Sequence, residues 1–144
     1  MSAAFSTTAS GEKLLILILV PRKTPLPDNS FIGGKPPSNV YLIYKPSATF
    51  DETVVCKYLD NIVQPYKTGN QIKKSAILLD SARCHNTKSV KEKLDQLSIK
   101  KISVPPRMTN LLQPADVSWF RPLKQNYNRL WNDWFIAGCV FINN

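Results

Sequence analysis

Apolar positions change their period along this chain, and the changes mark out its elements. Leu14 to Val20 is an unbroken apolar run of seven residues, the pattern of a strand buried on both faces. Residues 2–9 are small and β-tolerant, and Ser10-Gly11-Glu12 is a turn signal, so the two stretches predict a hairpin. Residues 21–38 carry Pro21, Pro25, Pro27, Gly33, Gly34, Pro36 and Pro37 and form a surface loop. Val40 to Tyr44 is a short strand. Phe50, Val54, Tyr58, Leu59 and Ile62 repeat at helical spacing, behind a Thr49-x-x-Glu52 capping box. The expected helix spans 50–64 and is stopped by Pro65.

The alternation of elements continues downstream. Ser75 to Leu79 is an apolar strand ending in Asp80. A helix over 87–97 follows, with Val90, Leu94 and Leu97 inward, and then a strand from Ile99 to Val104 broken by Pro105-Pro106. From Asp116 to about Ile136 the pattern is helical, and Pro122 predicts a kink or restart. The tail from Ala137 to Asn144 has no usable pattern. Antiparallel strands followed by alternating helices and strands predict a mixed sheet flanked by helices, an α/β fold.

With 144 residues and 43% apolar content, the chain has room for one compact domain with a core. Nineteen basic against ten acidic residues give a net charge of +9. That favours a polyanionic partner, nucleic acid first and an acidic membrane surface second. A membrane span needs about twenty apolar residues, far more than the run at Leu14. Three scattered cysteines without a C-x-x-C pair, and a single histidine, argue against a structural zinc site. The odd count suits a reducing compartment.

Most of the ten acids belong to turns or solvated faces, and Asp51 and Glu52 suit the start of a helix. Asp80 and Asp116 stand apart. Asp80 closes a strand, where α/β sheets open their ligand crevices. Asp116 opens a helix after a mixed polar and apolar loop. Each alone reads as an ordinary turn or helix-start acid. Together they fit the demand of Mg²⁺ for one or two carboxylates plus substrate phosphates. In two-metal phosphoryl transfer the ions sit about 3.5–4 Å apart, which requires such acids to converge.

The blocks around both acids carry a resemblance. Ile77-Leu78-Leu79-Asp80-Ser81-Ala82-Arg83-Cys84-His85 resembles the "LLLDNAxxH" block of pogo/Tigger-like DDE transposases. The segment from Val104-Pro105-Pro106 through Leu112-Gln113-Pro114-Ala115-Asp116-Val117 to Pro122-Leu123-Lys124 resembles their "LPPNxTxxLQPLDVGVFGPLK" block. Thirty-five residues separate the two aspartates, as in that family. The hairpin, from Ala3 to Lys23, is similar to the family's "SATATGxKLPPLVIxPRK" strand pair.

The resemblance implies an RNase H-like mixed sheet and Mg²⁺- or Mn²⁺-dependent cleavage and joining of DNA in the nucleus. Asp80 and Asp116 carry over as catalytic metal ligands, and His85 only as a family-typical residue near the site, for which fixing the loop is a simpler role than catalysis. The family's first aspartate precedes the hairpin. Asp51-Glu52-Thr53 repeats its letters but follows the hairpin, on a helix. The expectation is therefore a partial DDE catalytic domain over 1–136 that lacks its first strand, with 137–144 as an unassigned tail. Such a domain binds metal weakly and exposes strand edges that favour self-association. The alternative is a catalytically inactive, domesticated or decayed transposon-derived protein that binds DNA.

Overall fold

The computed structural model describes residues 1–31, 34–108 and 118–140, without the side chains of 29 and 138–140. It divides into two compact units, Met1–Pro106 and Arg107–Asn144. The mixed α/β class expected from the sequence is present, with strands in two sheets and helices between them, consistent with an RNase H-like domain.

In the first unit, β1 (Ser2–Ala4) and β2 (Ile16–Pro21) run antiparallel, with Ser2 opposite Leu19. Gly11, at φ +89°, turns the hairpin beside a Thr7–Lys13 bridge. β3 (Val40–Lys45) lies parallel to β2, from Ile16 opposite Val40 to Pro21 opposite Lys45. Leu17 and Leu19 are fully buried, while Ile16, Ile18 and Val20 on the other face are half-buried. The second sheet pairs β4 (Ser75–Leu79) with β5 (Ile99–Ser103) in parallel. Among the described residues the two sheets share no ladder.

A helical segment joins the sheets. It begins with α1 (Glu52–Tyr58), continues through a π-helical turn (Leu59–Val63) and ends with α2 (Gln64–Gly69). Its N-cap is Asp51, whose Oδ1 accepts from the Val54 amide at 3.0 Å. This corrects the capping box expected at Thr49, which bonds locally with Ser47 instead. A carboxylate two residues later suits the helix dipole better than a hydroxyl. The helix also runs past Pro65. The Gln64 amide reaches back five residues to the Leu59 carbonyl. That widened turn restarts the ladder and leaves Pro65 in the first turn of α2, where its missing N–H is tolerated.

Two apolar clusters form on this segment. Val54 and Ile62 pack with Leu17, Leu19 and Ile43 of the first sheet. Val55, Leu59 and Val63 pack with Val90, Leu94 and Ile99 and against Ile77 of the second. Tyr58 touches both clusters, and burial pushes its phenol pKa up, an effect that the Ser6 hydroxyl partly offsets.

α3 (Lys88–Gln96) is capped by Thr87, whose Oγ1 accepts from the Val90 amide at 3.4 Å. At its other end Ser98 takes φ +53°. Lys67, a residue only 7% exposed, donates through its ammonium to the Leu97 and Ser98 carbonyls there. A buried cation is stable at that position because the helix dipole is negative at its C-terminus.

In the second unit, α4 (Phe120–Val140) continues four residues beyond the boundary expected at Ile136 and runs through Gly138. Pro122 stands in its first turn, behind a π-helical turn at 118–119. Tyr127 stacks on Trp131 with ring centroids 6.4 Å apart, and Trp131 meets Trp134 at a tilt of 43° with centroids 5.1 Å apart. No helix among the described residues is long and apolar enough to cross a membrane.

Replacing Asp51 by Ala is expected to cost about 1 kcal/mol of unfolding free energy at neutral pH, the usual worth of an N-cap. The Lys45 ammonium, and then the Val54 amide, hold the Asp51 carboxyl below its ordinary value of 3.8. Below that value the unfolded chain takes the proton first, so the contribution is present above it and lost as pH falls. Urea denaturation of both proteins between pH 7 and pH 3 should show the gap narrowing with acid.

Candidate functional site: the turn after β4

Asp80 is the first residue beyond β4, and its neighbours hold it through one oxygen. Oδ1 accepts from the Ala82 amide at 3.0 Å and lies 2.7 Å from Nδ1 of His85. Among the described residues Oδ2 has no protein partner. The Asp80 side chain is 35% exposed and that of His85 17%. Among the described residues, the carboxylate is therefore held from one side, through one oxygen.

The turn that achieves this is short. Arg83–His85 forms a 3-10 turn, closed by hydrogen bonds from the His85 amide to the Ala82 carbonyl and from the Asn86 amide to the Arg83 carbonyl, each 3.0 Å. The chain leading into it is tied twice to Val104, the residue after β5. Ser81 Oγ donates to the Val104 carbonyl at 2.6 Å, and the Val104 amide donates to the Leu79 carbonyl at 2.8 Å. Lys101, in the middle of β5, donates to the His85 carbonyl at 2.7 Å and to Asn86 Oδ1 at 2.6 Å. Burial, and then the charge of Lys91, pull the Lys101 pKa down, while Asp80 pushes it the other way.

The helix starts cluster at this end of the unit. Ser89, in the first turn of α3, donates to Glu52 at the start of α1, at 3.3 Å. Cys84 packs against the core between them. Its thiol is pushed up first by burial and then by the Asp80 charge, with a smaller contribution from Asp51. A thiol shifted in that direction is a poor nucleophile. Asp51 differs from Asp80 in having both oxygens committed, one to the Val54 amide and one to the Lys45 ammonium. Its role at a helix start agrees with the sequence expectation.

Asp116 lies in 109–117, outside the described residues, and so does the separation of the two acids. Among the described residues no three His, Cys, Asp or Glu side chains group to hold a metal ion. Asp80 itself offers what a hard cation needs, an oriented carboxylate with one uncommitted oxygen. The motif reading found Asp80 and His85 but missed Lys101. The signal was there: Lys101 shares strand parity with core-facing Ile99, an unusual place for an ammonium.

The chain belongs to the DDE superfamily endonuclease family, whose model matches residues 2–144. Enzymes of that superfamily use divalent metal ions. Two curated relatives, both described as a pogo transposable element with KRAB domain, come from Mus musculus and Homo sapiens. Each is 27% identical over 144 residues, which is 99% of this chain. The chain spans only 23% and 22% of their respective lengths. No solved structure matches it.

His85→Ala should leave the fold intact, because Asp80 keeps the Ala82 amide. The expected cost is about 1 kcal/mol or less, as for other partly exposed pairs. Urea denaturation measures it, and a loss several times larger would show that the ring is a core element instead.

Proposed function

We propose that this chain is part of a transposase-derived catalytic domain that cleaves and joins DNA in the nucleus. Asp80 and Asp116 are its catalytic metal ligands. The observation that carries this reading is Asp80: a strand-end carboxylate held through one oxygen, with the other open, inside the block that resembles the family's second-aspartate motif. The family and its curated pogo relatives support DNA as the substrate.

Asp80 and Asp116 would hold Mg²⁺ or Mn²⁺, weakly where only these two acids contribute. The ion supplies electrostatic stabilisation of the charge that develops on the phosphate under attack. His85 and the Ala82 amide fix the Asp80 carboxylate. Exposed Arg83, inside the turn, and Lys88, at the start of α3, offer cations to the DNA backbone beside it. The net charge of +9 adds a general attraction for the polyanion. That charge also supports a second reading, a domesticated or decayed remnant that binds DNA without cutting it. Self-association through unpaired strand edges belongs to either reading.

The deciding assay is nicking of supercoiled DNA with Mg²⁺ or Mn²⁺. Activity is expected to disappear in Asp80→Asn and in Asp116→Asn. Binding in EDTA should persist in both variants and fall steeply with added salt, since phosphate contacts release counterions. Cleavage by Asp80→Asn at the wild-type rate would overturn the proposed site. Metal-dependent cleavage by the wild type, lost in Asp80→Asn, would rule out the binding-only reading.

A further inference from the structure

We propose that Lys101 is a positioning residue for the Asp80 carboxylate, acting through both groups that hold it. This rests on the reading of Asp80 as a divalent-cation ligand. Two donors meet Asp80 Oδ1, the Ala82 amide and the His85 ring. The backbone of each donor residue is tied to the same ammonium, that of His85 directly and that of Ala82 through Asn86. Lys101 donates directly to the His85 carbonyl at 2.7 Å. It also donates to Asn86 Oδ1 at 2.6 Å, and the amide nitrogen of that side chain donates to the Ala82 carbonyl at 3.1 Å.

The arrangement is a closed polar network with a single cation at its base. Lys101 reaches it from β5, a strand that is itself fixed to β4 along five residue pairs from Ser75–Ile99 to Leu79–Ser103. The site turn is thus tied to the sheet by a side chain as well as by its own backbone. An ammonium half-buried on the core-facing side of a strand needs such partners, because unpaired burial of a charge is costly. Its two acceptors both belong to the segment that follows Asp80. Among the described residues, no other hydrogen bond ties the His85 end of the turn to β5. Groups that orient a metal ligand from behind commonly change metal affinity by about 10–100-fold when removed.

The test uses the full chain and Mn²⁺ alone as the probe. Paramagnetic broadening of the Ala82, His85 and Asn86 amide resonances reports Mn²⁺ at Asp80. Hydrogen exchange at the same amides reports the turn without any metal. Lys101→Met keeps the aliphatic stem and removes the donors. It is expected to weaken Mn²⁺ broadening about 10-fold and to speed exchange at Ala82 and His85, while amides within β4 and α3 keep their protection. Asn86→Ala, which removes one arm only, should show a smaller change in the same direction. Unchanged broadening and exchange at Ala82 and His85 in Lys101→Met would overturn the proposal. So would an equal loss of protection throughout the unit, which would mark Lys101 as a general fold element. Absence of Mn²⁺ broadening in the wild type would reject the cation-ligand reading alone, and the exchange comparison would still decide the role of Lys101.

Discussion

Burial of one helical surface against two small sheets is the constraint on which the first unit depends. A two-stranded sheet is marginal alone, and a three-stranded one needs its apolar face covered. The segment that begins at Glu52 solves this by carrying two adjacent apolar stripes. Val54 and Ile62 serve the first sheet, and Val55, Leu59 and Val63 serve the second. Tyr58 lies on the seam between them. Val54 and Val55 are neighbours on the helix, about 100° apart, so the two stripes sit side by side and one helical segment can cover both surfaces. The π-helical turn lies within this stretch and keeps Leu59, Ile62 and Val63 all buried.

That packing fixes where chemistry can occur. β3 leads into α1 and β4 leads into α3, and the starts of those helices meet at Glu52 and Ser89. The ends of the two strands therefore open at a common end of the unit. Asp80 stands there because β4 ends there. The Lys101 network then turns a position into an orientation, by connecting β5 to the donors on Asp80.

Much of this was legible because it rests on local patterns. Unbroken apolar runs marked β2 and β4, and 3.6-residue spacing marked the helices. The site block around Asp80 and His85 was legible through a motif. What escaped reading was set by partners distant in sequence or by backbone adjustments. Pro65 looked like a stop because periodicity cannot reveal that a five-residue hydrogen bond absorbs it. Thr49 looked like a cap because its spacing to Glu52 was right, while Asp51 wins through its charge and through Lys45. Lys101 was invisible because its acceptors lie 15 and 16 residues away, in a turn whose shape no pattern predicts. The placement of Asp116 lies outside the described residues, so the pairing of the two acids rests on motif and spacing.

Asp51 and Asp80 show how the same residue type at similar positions can differ in what it offers a cation. Both are acids near the same end of the unit, and both meet a backbone amide and a basic side chain. The difference is how the bonds are shared between oxygens. At Asp51 each oxygen has its own partner, so a cation would have to displace the Lys45 ammonium or the helix cap. At Asp80 both partners found among the described residues meet one oxygen, which leaves the other for the cation proposed there. A carboxylate can accept several hydrogen bonds through its two oxygens. Concentrating them on one is the feature that makes Asp80 available, and the turn built from Ala82 to Asn86 is what enforces it.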